Sequence, residues 1–104
     1  LSGGKGDDTL AGGEGNDRLH GDSGADLLKG DAGADVFVFA GGDTDRVADF
    51  TNGSDLLDVA AATTNFGSLV LAQNGADVNV TAAAVTFTLI GALVADLDAT
   101  DFVF

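Results

Sequence analysis

The chain has no cysteine, proline, methionine, tryptophan or tyrosine among its 104 residues. Without cysteine it has no disulfide and no thiolate metal site, though this does not fix its compartment. Cations are scarce too: 4 Lys and Arg stand against 17 Asp and Glu, for a formal net charge of −13. Nucleic acid and anionic membrane surfaces are held by cationic contacts, so neither is expected as a partner. No apolar run approaches a membrane span, so no insertion into a bilayer is expected. No N-terminal signal peptide is visible. Histidine occurs once, as His20, and glutamate once, as Glu14. An ordinary zinc site needs more ligands than His20 supplies. An EF-hand loop ends on a glutamate with a fixed run of ligands before it, and Glu14 sits in a different pattern.

What the chain does have is glycine, 16 residues of it, and aspartate, which makes up 16 of the 17 acids. So acidic a chain could be disordered, yet 45% of it is hydrophobic. That suffices for the core of one small domain, provided the carboxylates are neutralised. Carboxylate oxygens are the preferred ligands of hard cations.

The glycines and aspartates fall in a repeat. Frames of nine from Gly3 read GGKGDDTLA, GGEGNDRLH, GDSGADLLK and GDAGADVFV. Position one is Gly3, Gly12, Gly21 and Gly30; position four is Gly6, Gly15, Gly24 and Gly33. Position six is Asp8, Asp17, Asp26 and Asp35, and position eight is Leu10, Leu19, Leu28 and Phe37. A flexible linker needs neither a fixed aspartate nor a fixed apolar position. Fixed-period self-similarity instead marks stacked units that share a core. Glycine permits left-handed backbone angles, so the first six positions suit a tight turn with inward carbonyls. The last three suit a short strand whose middle residue faces the core.

After Val38 the frame breaks, giving an expected boundary between a repeat region, residues 1–38, and a β cap, residues 39–104. Gly41 to Asp45 reads as a loop. Arg46 to Phe50 and Asp55 to Val59 follow, with a turn at Asn52-Gly53-Ser54. From Ser68 apolar residues alternate: Leu69 and Leu71 lead to Asn74-Gly75, then Val78 and Val80. Asn-Gly flanked by such alternation predicts a hairpin. Val85, Phe87 and Leu89 keep the period of two.

The frame GGxGxDxUx, with U large and apolar, resembles the RTX nonapeptide repeat. The stretch ADVFVFAGGDTDRVADFTNGSDLLDVA resembles the segment that follows the last repeat in serralysin-type metalloproteases and related type I-secreted proteins. The closing DLDATDFVF is similar to their uncleaved secretion tail. Leu1 and Ser2 fit the tail of a preceding repeat, so the chain is expected to be a fragment of a longer protein.

The resemblance implies an all-β fold: a right-handed parallel β-roll capped by a C-terminal antiparallel region. It implies several Ca²⁺ ions between turns stacked 18 residues apart. One site would join Gly4, Gly6 and Asp8 to Gly21, Ser23 and Asp26. A second would join Gly13, Gly15 and Asp17 to Gly30, Ala32 and Asp35. A third would use Asp22, Gly24 and Asp26, closed by Asp45. A fourth would lie over Asp31, Gly33 and Asp35, with Asp43 or Asp49. Gly3, Lys5, Gly12 and Glu14 would face half-sites at the N-terminal edge. Asp22 and Asp31 depart from the family's second glycine, at a cost if the backbone there is left-handed. Position five is Asp7, Asn16, Ala25 and Ala34, so its side chain is no obligatory ligand.

The letters Gly21-Asp22-Ser23-Gly24 also resemble a serine-protease nucleophile loop. Its base would have to be His20, three residues from Ser23. A motif without its structural context is weak, and the repeat accounts for these residues. The expected function is therefore that of a non-catalytic, monomeric, calcium-folded module of an exported protein, extracellular or at the cell surface. Its C-terminal tail would engage a type I exporter. The alternatives are a polysaccharide- or surface-binding module like those of secreted alginate epimerases, or the end of a secreted metalloprotease or lipase.

Overall fold

The computed structural model describes residues 2–21, 24–39, 44–51, 54–60, 67, 69–82 and 85–104. Its first four strands are β1 (Thr9–Ala11), β2 (Arg18–His20), β3 (Leu27–Lys29) and β4 (Val36–Val38). These are the last three positions of the four nonapeptides. Then come β5 (Asp45–Val47), β6 (Leu56–Asp58), β7 (Leu69–Asn74), β8 (Asp77–Ala82), β9 (Val85–Leu89) and β10 (Phe102–Val103). Among the described residues there is no α-helix, only short 3-10 turns, and no helix long and apolar enough to cross a membrane.

Odd and even repeats go to different sheets. One sheet has the order β1-β3-β5-β9-β8-β7 and the other β10-β6-β4-β2. Successive nonapeptides therefore lie on opposite walls of a flattened coil. Pairing along each wall is parallel, with Leu10 opposite Leu28 and Leu19 opposite Phe37. This is a parallel β-roll.

Parallel pairing continues past Val38. Val47 lies opposite Leu28, and Leu57 opposite Phe37. β9 adds in parallel to β5, and β10 to β6. Both sheets thus run through the boundary expected at residues 38 and 39, and the two regions share one core. The antiparallel part is β7-β8-β9. Its first turn is Gly75-Ala76, with Asn74 paired to Asp77 as the last strand residues. The hairpin forms where expected, with its turn one residue later than Asn74-Gly75. Gly75 has φ 63°, the sign that glycine supplies at the first central position of a II′ turn.

Every strand of the coil sends its middle or alternate residues inward. One wall contributes Leu10, Leu28, Val47 and Leu89, the other Leu19, Phe37, Leu57 and Phe102, all buried. Each such side chain contributes roughly 1.5–3 kcal/mol of transfer free energy. Phe39 stacks on Phe87 between the walls, with ring centroids 3.8 Å apart. The chain end is anchored too. Asp98 and Asp101 form a reciprocal capping box, and Phe102 is buried against the β6 side of the core. On the outside of the smaller sheet Arg18 pairs with Asp58 at 2.8 Å.

Candidate metal centre

The turns that join the walls carry the candidate site. Position four is left-handed in every repeat: φ is 91° at Gly6, 92° at Gly15, 100° at Gly24 and 106° at Gly33. A side chain there would also collide with the neighbouring turn. A Cβ on Gly24 would lie 2.2 Å from the Gly6 carbonyl oxygen, and one on Gly33 2.2 Å from that of Gly15. The turns therefore stack with backbone carbonyls between them.

Position one is glycine for a different reason. Gly3, Gly12, Gly21 and Gly30 are not in the left-handed region. A Cβ at Gly12, Gly21 or Gly30 would lie 2.7, 2.5 or 2.2 Å from Oδ2 of the aspartate five residues on, Asp17, Asp26 or Asp35. The missing side chain makes room for the position-six carboxylate.

Those carboxylates form two ladders. The Asp8 N–H donates to Asp26 Oδ1 at 2.7 Å, and the Asp26 N–H to Asp45 Oδ1 at 2.9 Å. On the other wall the Asp17 N–H donates to Asp35 Oδ1 and the Asp35 N–H to Asp55 Oδ1, both at 2.9 Å. The second oxygen is different. Oδ2 of Asp8, Asp17, Asp26 and Asp35 is buried without a hydrogen-bond partner. Leaving a buried acceptor unsatisfied costs about 1–3 kcal/mol, and more when it is charged. Burial pushes the Asp35 carboxyl above the usual aspartate range. The Asp17 N–H opposes that shift, while Asp55, Asp17 and Asp49 reinforce it.

A cation would remove this cost. The donors are oxygens, carboxylate and carbonyl, which suit Ca²⁺ better than a soft metal. No group of three or more His, Cys, Asp or Glu able to hold a metal gathers among the described residues. A cation here would accordingly be held by two carboxylates at most, with backbone carbonyls completing its shell. The residues fit calcium on those terms.

The structure brings together the expected pairs Asp8 and Asp26, Asp17 and Asp35, and Asp26 and Asp45. Asp22, Ser23 and Asp43 lie outside the described residues. Asp31 has φ 62°, the one left-handed non-glycine among those described. Its carboxylate accepts from the Gly13 N–H at 3.3 Å. Asp49 lies over the last repeat turn, accepting from the Gly30 and Asp31 N–H groups at 2.9 and 2.8 Å. Position five has a local role where it is polar: Asp7 accepts from the Ala25 N–H, and Asn16 from the Ala34 N–H.

Asp55 was missed by sequence reasoning. It stands 20 residues after Asp35, two beyond the repeat spacing. The signal lay in the apolar partner: Asp55 precedes Leu57 by two residues, as Asp35 precedes Phe37 and Asp45 precedes Val47.

The RTX calcium-binding nonapeptide repeat, as a family, matches here in four copies, over residues 2–37 and 11–47. Residues 2–47 carry RTX calcium-binding nonapeptide repeats. An RTX repeat is a calcium-binding, non-catalytic element, and calcium is the ion that this donor set suits. Among solved structures, the extracellular lipase LipA from Serratia marcescens is 29% identical over 98% of this chain, with a TM-score of 0.69. This chain spans only 20% of that lipase. The AlgE6R3 subunit of the Azotobacter vinelandii mannuronan C5-epimerase is 26% identical over 96% of this chain and 79% of its own, with a TM-score of 0.50. The AlgE6R2 subunit of that epimerase is 27% identical over 99% of this chain and 88% of its own, with a TM-score of 0.44. No curated protein sequence matches the chain significantly.

Proposed function

We propose that this chain is the C-terminal, non-catalytic module of a protein exported by a type I pathway, ordered by calcium outside the cell. The observation that carries this is the row of four buried carboxylate oxygens without partners, at Asp8, Asp17, Asp26 and Asp35. Bound calcium would supply positive charge and coordination to those oxygens. Gly4, Gly6, Gly13, Gly15, Gly21, Ser23, Gly24, Gly30, Ala32 and Gly33 would offer backbone carbonyls, and Asp22, Asp31 and Asp45 belong to the same proposed ligand set.

The chain's own residues explain why folding would wait for the ion. Stacking the turns brings like charges together in two ladders, which opposes collapse. Ordering the glycine-rich turns also costs backbone entropy. In a calcium-poor cytosol the roll stays open. Outside, calcium near millimolar suits sites of the extracellular affinity class, and a ligand that binds only the folded form stabilises it by mass action. Asp101 to Phe104 would be read by the exporter before folding, because Phe102 is buried in the folded roll. The likeness to an extracellular lipase supports this reading, with any catalytic domain lying outside these residues.

Circular dichroism during a calcium titration tests it. In excess chelator the chain is expected to lack β-structure, and calcium is expected to restore it. A chain that is fully β-folded in chelator, and indifferent to calcium, refutes the mechanism. Deleting residues 99–104 is expected to abolish export.

A second reading, a polysaccharide-binding module, is compatible with the structure, though the net charge of −13 speaks against a polyanion. Lys29 and Arg46 are both exposed on the outer face of the larger sheet, where Leu27 pairs with Arg46. Titration with acidic and neutral polysaccharides distinguishes it.

A further inference from the structure

The ladder Asp17, Asp35, Asp55 ends in a carboxylate whose oxygens are used differently from those inside it. Asp35 gives Oδ1 to the Asp17 N–H and leaves Oδ2 buried and bare. Asp55, the next residue up, takes the Asp35 N–H on Oδ1 at 2.9 Å and the Thr51 N–H on Oδ2 at 2.8 Å. Asp49 likewise takes the Gly30 N–H on Oδ1 and the Asp31 N–H on Oδ2. Together they cover both ends of the last repeat turn: positions one and two under Asp49, position six under Asp55.

We infer that Asp49 and Asp55 close this ladder by hydrogen bonds alone, and that no calcium sits above the turn of residues 30–35. Hydrogen bonds to a carboxylate stabilise its charged form, as a cation would. Four backbone N–H groups here aim the positive ends of their dipoles at the two side chains, and such a cluster favours anions over cations. A cation in that position would meet only oxygens already engaged by N–H groups, and would lie close to the positive ends of those dipoles. By contrast, one bare oxygen per aspartate remains in the interior of the ladder, at Asp17 and Asp35. Just before Asp55 the Ser54 and Asp55 N–H groups both donate to the Thr51 carbonyl in a local turn. That turn places the Thr51 N–H on Asp55. The fourth ion expected over Asp31, Gly33 and Asp35 is thereby replaced by a metal-free closure.

This rests on calcium binding by the repeat turns, and the test separates the two. The full chain is titrated with calcium by calorimetry, and ions are counted by native mass spectrometry at saturation. Asp55→Asn and Asp49→Asn are expected to keep the wild-type ion count while lowering the urea midpoint at saturating calcium. Asp17→Asn is expected to lose at least one ion. Loss of an ion from Asp55→Asn or Asp49→Asn overturns the inference and leaves the calcium reading intact. A wild-type chain that binds no calcium overturns both. A closing variant that stays unfolded at the highest calcium also counts against the inference, because the sites nearer the N terminus should still order by mass action.

Discussion

Residues 3–35 hold eight acids and residues 69–89 only one, Asp77, yet both segments contribute strands to the larger sheet. The repeat strands are three residues long, and each buries one fixed apolar side chain. Their turns hold bare, buried carboxylate oxygens. The hairpin strands β8 and β9 run six and five residues, and each buries every second side chain. They gather apolar area and antiparallel hydrogen bonds without any buried charge. On the proposed reading the repeat end of the roll is conditional on an ion, whereas the hairpin end is stabilised by packing. One sheet joins them through β5 and β9, so order at one end supports order at the other.

The largest expected effect that separates the ends is Phe87→Ala. Phe87 is fully buried and stacked on Phe39, and such a truncation costs about 3–5 kcal/mol. Chemical denaturation at saturating calcium should show that loss, with the number of bound ions unchanged. Asp26→Ala should do the reverse. It removes the carboxylate that stands between Asp8 and Asp45, so the calcium midpoint for folding should rise at least about tenfold, or ~1.4 kcal/mol. An unchanged midpoint would place the cations elsewhere. Gly33→Ala should cost about 1–3 kcal/mol, since its Cβ meets the Gly15 carbonyl and its φ is 106°. Thermal melts would show the loss, while Gly75→Ala, with open space around its Cβ, should strain only the hairpin turn.

The smallest effect is that of pH. Burial, and then its acidic neighbours, raise the Asp35 carboxyl in the folded state. A raised folded value means that the proton is bound more tightly in the folded chain than in the unfolded one. The stability this contributes is fully present below the ordinary aspartate range and is lost as pH rises through the raised value. In chelator, lowering the pH from neutral into the carboxylate range should therefore favour the folded form. On the proposed ligand set protons and calcium compete for the same oxygens, so calcium affinity should fall over the same window. Circular dichroism against pH, with and without calcium, checks both signs.

Much of the roll was legible because the repeat is local. Gly at position four, Asp at position six and an apolar residue at position eight each answer to one backbone angle, one turn and one seam. Strands β1 to β4 fall where the frame puts them, and the hairpin follows from period-two alternation around Asn74-Gly75. The joins were less legible. The shifts to 19 and then 20 residues at Asp45 and Asp55 lie in turns of irregular length, where no period constrains the chain. Position-one glycines could be seen but not explained, because the reason is the carboxylate lying against them.

The sequence by itself determined the coil, its apolar seam, and a charge pattern that suits hard cations, since each follows from a fixed spacing along the chain. Only the tertiary structure decided which oxygen of each aspartate is bare and which is bonded. That depends on which turn lies above. It is why Asp35 keeps a free oxygen, while Asp55, in the same chemical guise, has both of its oxygens taken by N–H groups.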